Sequence, residues 1–173
     1  MADSCKCKVT FRSTELSVLN SIQDIFEGGS ERSDDGSRAL PAKALAVACW
    51  GTGTAGSATG TKWIEVIDSK LNAAKNEYWV IFDSAYSPPI DGLRSLNEQV
   101  FKNKFDYYCT YSVRSWDNQV GAFGTFDGEF HEIQEEVDLD GLSEDEKDEE
   151  MDLSLEDAEA MLPDADRLWM LTR

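Results

Sequence analysis

The chain has 173 residues, of which 41% are hydrophobic and 10% aromatic, and this composition excludes a disordered protein. Its net charge of -18 excludes nucleic acids and anionic membranes as favourable partners, because a field of that sign repels them and attracts basic protein surfaces. The charge is segmental, since residues 132–166 hold 17 acidic residues and a single basic one, Lys147.

The first half of the chain predicts a strand, a helix and a second strand. Apolar residues alternate from Cys7 to Phe11, which indicates a half-buried strand. Leu16 to Phe26 has its apolar residues on one helical face, and Gly28-Gly29 would end that helix. The apolar run from Leu45 to Trp50 favours a strand, although it is short enough to be helical. From Trp63 to Leu71 the β-branched residues favour a strand, but the apolar spacing favours a helix, which we prefer on periodicity alone.

The second half predicts a strand, a helix and two further strands. Tyr78 to Phe82 is apolar on both faces, as in a central strand covered on both sides. Pro88-Pro89 ends it and suits the start of a helix with an apolar face from Ile90 to Phe101. Phe105 to Val113 alternates clearly as a strand, and Val120 to Phe126 predicts the last one.

The order of these elements predicts an α+β fold. A ferredoxin-like split βαβ antiparallel sheet with helices on one face accounts for it, over residues 1–134. Residues 135–173 would form an acidic C-terminal helical tail with short amphipathic helices. Four scattered cysteines, no apolar signal core and no apolar stretch of ~20 residues predict a cytoplasmic protein without disulfides.

Two motifs lie in the predicted domain. They are Trp50-Gly51-Thr52 continued by Gly60-Thr61-Lys62-Trp63, and Phe82-Asp83-Ser84-Ala85-Tyr86-Ser87-Pro88-Pro89. Together they resemble the YubB-like (Api-type) ferredoxin-like domain of bacterial plasmids and phages, over residues 5–134. The first motif is interrupted by residues 53–60, and Tyr86 stands where that family has tryptophan. The resemblance implies an origin in a phage or mobile element and a strand at Trp63–Leu71 paired with Tyr78–Asp83, but no catalytic residue.

The loop Gly51–Lys62 approaches the pattern of a phosphate-binding loop without completing it. Thr61 separates Gly60 from Lys62, and Trp63 replaces the hydroxyl residue that would reach magnesium. We therefore predict a connecting loop here.

Two further patterns fall short of metal sites. Cys5 and Cys7 have one residue between them, whereas structural zinc sites use pairs with two to four. Asp138-x-Asp140-Gly141 has its glycine at the fourth position, whereas a calcium loop has it at the sixth. We predict no catalytic residue, no metal and no cofactor.

The tail predicts a partner-binding segment. Its like-charge pairs four residues apart oppose helix formation, so we expect residues 138–152 to be disordered when free and to order against a cationic partner. Ser154 would cap a short amphipathic helix that Pro163 ends, and this apolar end would either fold back onto the sheet or dock into a partner. The predicted partner-binding residues are Glu144, Asp145, Glu146, Asp148, Glu149, Glu150, Asp152, Glu156, Asp157, Glu159 and Trp169.

These features predict a non-enzymatic protein of a phage or mobile element whose acidic region engages a basic, nucleic-acid-binding host protein. Its concrete form is a nucleic-acid mimic that inhibits a defence or DNA-processing system. One alternative is a structural or oligomeric assembly protein with a solubilising acidic tail. Another is a nucleotide or small-molecule enzyme that uses the Gly51–Lys62 loop.

Overall fold

The computed structural model describes residues 4–27, 40–51, 59–61, 63–114, 118–126 and 128–161. Within this part of the chain it is an α+β protein with a six-stranded antiparallel sheet and four α-helices. The strands are β1 (Ser4–Arg12), β2 (Ile64–Asn72), β3 (Glu77–Ala85), β4 (Asp106–Val113), β5 (Gln119–Phe126) and β6 (Glu129–Glu136). The helices are α1 (Leu16–Glu27), α2 (Leu40–Trp50), α3 (Ile90–Ser95, continued by a π-helical turn to Val100) and α4 (Glu144–Ala160).

The strands lie in the order β2-β3-β1-β4-β5-β6, so β1 is central and β2 and β6 are the edges. Val9 of β1 is level with Val80 of β3 and Cys109 of β4, and all three side chains are buried on the same face. The alternation of β1 thus places one row of side chains, including Phe11, in the main core beneath α1. Phe11 lies 5.8 Å from the Phe26 ring of α1, measured between ring centroids.

The run Leu45–Trp50 is helical, so the predicted strand is wrong. It forms the second half of α2, in which Ala42, Leu45 and Ala46 are fully buried. A short apolar run has no period that separates a buried strand from a buried helix. Leucine and alanine are strong helix formers, and this composition decides the structure here.

The helix that periodicity favoured at Trp63–Leu71 is also wrong, because Ile64–Asn72 forms the edge strand β2, which pairs with β3. The strand implied by the resemblance is therefore observed. A β-bulge between Val66 and Asp68 shifts the register. Ile64, Val66, Ser69 and Leu71 consequently face the same way, with spacings of two, three and two, and this interrupts the period of two that identifies a strand.

Strand β6 was not predicted. It forms a hairpin with β5, and its end at Glu136 lies beyond the domain boundary that we placed at residue 134. Four of its eight residues are glutamates, which suits an edge strand and hides its alternation among the charges of the tail.

The fourth helix departs from the expected arrangement of helices on one face. The side chains of β5 alternate, so that Phe123 lies in the main core while Val120 belongs to a second cluster on the opposite face. This second cluster contains Met151 and Ala158 of α4. The acidic helix is therefore packed across β5, on the face opposite the main core.

Candidate protein-interaction surface

The candidate surface is α4, whose start is defined by a capping box. The hydroxyl of Ser143 accepts a hydrogen bond from the Glu146 backbone amide at 3.4 Å, and the Ser143 amide donates to the Glu146 carboxylate at 2.8 Å. The Ser143 hydroxyl also donates to that carboxylate at 2.7 Å. Ser154, which we predicted as the cap, lies in the middle of α4. The spacing Ser-x-x-Glu at 143–146 was the available signal for the true start.

Basic residues offset part of the charge in the first turns. Arg114, at the end of β4, donates to Asp148 at 2.8 Å and to Glu144 at 3.2 Å. Lys147 donates to the other oxygen of Glu144 at 2.8 Å. Arg114 thus bridges two carboxylates four residues apart, a pair whose repulsion we had counted against the helix.

The environment lowers the pKa of two of these carboxyl groups. Hydrogen bonding and charge from Lys147, with the charge of Arg114, hold the pKa of Glu144 below its ordinary value. Hydrogen bonds from the Ser143 backbone amide and hydroxyl lower the pKa of Glu146. Both groups are stabilised as carboxylates in the folded protein.

The inner side of α4 attaches it to the sheet. Met151 and Ala158 are buried against Val120 of β5 and against Val137 and Leu139 of the connecting segment. Leu155, Leu142 and Ile133 pack against this cluster and are partly buried. Within the described part of the amphipathic end, Leu155 and Ala158 therefore pack onto the sheet, as in one of the two alternatives predicted.

This packing corrects the expectation of a disordered segment at residues 138–152. Residues 144–152 are helical, and Val137 and Leu139 are buried before the helix begins. The expectation counted the like-charge pairs but not the interactions that oppose them. Each like-charge pair costs ~0.2–0.5 kcal/mol of helix stability. Burial of a single side chain such as Met151 contributes about 1.5–3 kcal/mol, which offsets several such pairs.

The outer side of α4 presents most of the predicted partner-binding residues together. The Glu159 side chain and Trp169 lie outside the described residues. Leu153, which is not among the predicted partner-binding residues, is 58% exposed. The exposed acidic residues of α4 are Glu144, Asp145, Glu146, Asp148, Glu149, Glu150, Asp152, Glu156 and Asp157.

The two cysteines considered for zinc belong to the core. Cys5 and Cys7 are buried on the same face of β1, with their sulfur atoms 3.6 Å apart. Burial raises the pKa of both thiols, which favours the protonated form. Among the described residues, no three His, Cys, Asp or Glu side chains form a group that could hold a metal ion.

The acidic residues considered for calcium shape a turn instead. The Asp138 carboxylate accepts a hydrogen bond from the Asp140 amide at 3.0 Å, and Gly141 has a positive φ of 78°. This turn directs the chain from the end of β6 to the cap of α4.

The two motifs that carry the family resemblance lie side by side. The Thr61 hydroxyl accepts a hydrogen bond from the Ala85 amide at 2.9 Å, and Ser87 donates to the Gly60 carbonyl at 2.5 Å. A Cβ at Gly60, where φ is 85°, would lie 3.2 Å from the Pro88 carbonyl oxygen. These contacts hold the two motifs together in the fold. Residues 52–58 and Lys62 of the Gly51–Lys62 loop lie outside the described residues.

A comparison with protein-family models, curated proteins and solved structures found no match to this chain. The likeness to the YubB-like family stays a prediction from sequence. In the part of the chain that the structure describes, no helix is long and apolar enough to cross a membrane.

Proposed function

We propose that the chain is a non-enzymatic binding protein whose helix α4 engages a basic, nucleic-acid-binding host protein. The observation that carries this proposal is the division of α4 into two sides. Met151 and Ala158 fix the helix to the sheet, while nine predicted partner-binding carboxylates are exposed. A helix that is ordered before binding loses less conformational entropy on association than a disordered tail.

The charge density of α4 supports the concrete form of the proposal, inhibition of a defence or DNA-processing system by imitation of nucleic acid. Ten acidic residues and one basic residue lie between Glu144 and Glu159. Along a helix this is one net negative charge per ~2.7 Å, between the ~3.4 Å of a single DNA strand and the ~1.7 Å of the duplex. A basic groove that binds nucleic acid by neutralising its phosphates would find a similar density of negative charge along α4.

The fold gives this proposal a second part, a ferredoxin-like origin for β1–β4 with α1 and α3. The antiparallel order β2-β3-β1-β4 supports it, as do the helices between β1 and β2 and between β3 and β4. In this interpretation α2, β5, β6 and α4 are additions to that unit. The likeness of its sequence motifs to the YubB-like family supports an origin in a phage or mobile element and an action in the host cytoplasm.

The test compares full-length proteins as baits in a bacterial lysate. One variant replaces five exposed carboxylates of α4 by their amides, at Glu149, Glu150, Asp152, Glu156 and Asp157. Proteins held by the wild type should be basic, should be lost with this variant, and should be released by added duplex DNA and by salt.

A matched control removes the same charge from other exposed sites, so that local charge is separated from net charge. Its five amide substitutions are at Asp24, Glu65, Asp68, Asp91 and Glu132. The control should retain the bound proteins. Retention by the α4 variant, or binding that resists both salt and DNA, would contradict the proposal.

A further inference from the structure

An apolar stripe lies within the acidic outer face of α4. Leu153 is 58% exposed and Met161 is 60% exposed, and Ala160, also exposed, follows Leu153 by seven residues, two turns of helix. Leu153 and Ala160 thus share one line along the side of α4 that faces away from Met151. Two apolar positions seven residues apart are typical anchors for a second helix.

Carboxylates flank this stripe on both sides. Glu149 and Glu150 precede Leu153 by four and three residues, and Glu156 and Asp157 follow it by three and four. Positions three and four apart are neighbours on a helix surface, so these four exposed acids surround the leucine. The arrangement is an apolar centre with a charged rim, as in the central contacts of protein interfaces.

The charge around Leu153 determines what can cover it. A second copy packed through the same helix would bring two carboxylate rows together, and nucleic acids or anionic membranes carry the same sign of charge. A basic helix with its own apolar stripe satisfies both parts of the surface. Its apolar residues would contact Leu153, and its lysine or arginine side chains would reach the flanking acids with their aliphatic stems over the leucine.

We infer that the outer face of α4 is a docking site for a basic amphipathic helix of another protein, with Leu153 as the central contact. This inference rests on the proposed function and names the chemical class of its partner. Exposed ion pairs contribute little each and weaken with salt. Burial of Leu153 adds a contribution that a polycation without an apolar stripe does not gain, while the ion pairs around it keep the total affinity dependent on salt.

The test uses two synthetic helical peptides of about 18 residues with the same lysines. One has leucines along the stripe and the other has glutamines. The wild-type protein should bind the leucine peptide about tenfold more tightly than the glutamine peptide, as expected for burial of about half a leucine side chain or more on each partner. Leu153→Gln should abolish this preference and leave the affinity for the glutamine peptide unchanged.

A second variant separates failure of this inference from failure of the proposed function. It replaces the four flanking acids, Glu149, Glu150, Glu156 and Asp157, by their amides, and it should weaken the binding of both peptides at low salt. If Leu153→Gln keeps the preference for the leucine peptide, the docking site is overturned while the proposed function stands. If the amide variant binds both peptides as the wild type does, the proposed function is overturned as well.

Discussion

Met151 is the largest buried side chain through which α4 contacts the sheet, and its truncation should weaken that contact. It is 4% exposed, within the cluster formed with Val120 and Val137. Met151→Ala should lower the free energy of unfolding by about 2–4 kcal/mol, because truncation removes burial and leaves a cavity. Urea denaturation measures the loss.

The matched control for this prediction is Leu153→Ala in the same helix. Because most of Leu153 is exposed, this change should stay within about 0.5 kcal/mol of the wild type. Equal losses for the two variants would show that α4 does not contribute to stability through its inner side.

Gly124 of β5 should tolerate no side chain, because a Cβ there would overlap the Tyr107 backbone carbonyl oxygen. Gly121 differs, since the atoms nearest to a Cβ there belong to the end of the Tyr111 side chain and not to the backbone. Gly124→Ala should therefore destabilise the protein by about 3 kcal/mol or more, and Gly121→Ala by less. Thermal unfolding of the two variants would decide, and the reverse ranking would contradict the packing of β4 against β5.

At the scale of the element, the start of α4 should depend on Ser143. Ser143→Ala removes the hydroxyl that bonds Glu146 and should cost about 0.5–2 kcal/mol of helix stability. Ser154→Ala is the same substitution at a position inside the helix, and it should be neutral or slightly stabilising. Amide hydrogen exchange in the first turn measures both effects. Faster exchange with Ser154→Ala alone would place the cap where the sequence first suggested it.

The attachment of α1 to the sheet should depend on pH through Glu27. Partial burial would raise the pKa of this carboxyl, but hydrogen bonds from Ser69, Gln23 and Tyr78 outweigh it and hold the pKa below its ordinary value. The stabilisation is therefore present above the pKa of the unfolded chain and is lost as the pH falls through the lower pKa of the folded protein. Glu27→Gln should reduce the loss of stability on acidification, measured as the urea midpoint at neutral and acidic pH.

Asp24→Asn provides the comparison for Glu27, since Asp24 is exposed on the same helix. This variant should lose stability on acidification as the wild type does. If Glu27→Gln also behaves as the wild type, the hydrogen bonds to Glu27 do not contribute to the pH dependence.

Elements with a regular apolar period could be predicted from sequence, and elements shaped by their neighbours could not. The alternation of β1 and β4 and the apolar faces of α1 and α3 are local properties of the chain, and the structure confirms all four. The bulge in β2 interrupts its period of two, and the apolar run in α2 is too short to distinguish a helix from a strand. These errors arise where tertiary contacts, not local spacing, select the conformation.

The candidate surface was predictable in composition and not in structure. The acidic residues of α4 are evident from sequence, and nine of them are exposed as the interpretation required. Arg114, 30 residues before Glu144, gives no sequence signal of its ion pairs with the helix. Leu153 was also missed, because only the position of Met151 against β5 determines which side of α4 faces outward.

At the scale of the whole molecule, the acidic segment cannot be removed without damage to the fold. Deletion of residues 138–173 would expose Val120, Ile133 and Val137, which now pack with α4. A buried side chain of this size contributes about 1.5–3 kcal/mol, so the truncated chain should unfold at a lower temperature and bind a hydrophobic dye.

The full-length α4 variant with five amide substitutions is the control for this truncation. It keeps the apolar contacts and should bind no more dye than the wild type. A truncated chain with the stability of the intact protein would show that α4 does not stabilise the sheet. The proposed function would then not depend on the packing of α4 against the sheet.

The two edges of the sheet have a consequence for the behaviour of many copies in one cell. Edge strands offer unpaired backbone groups to any passing strand. A strand of another molecule added beside β6 would approach Glu129, Glu132 and Glu136. A strand added beside β2 would approach a backbone bent by the bulge at Val66 and Asp68. Negative charge at one edge and the bulge at the other therefore discourage the addition of further strands, so the sheet should not extend into fibres when many copies are present.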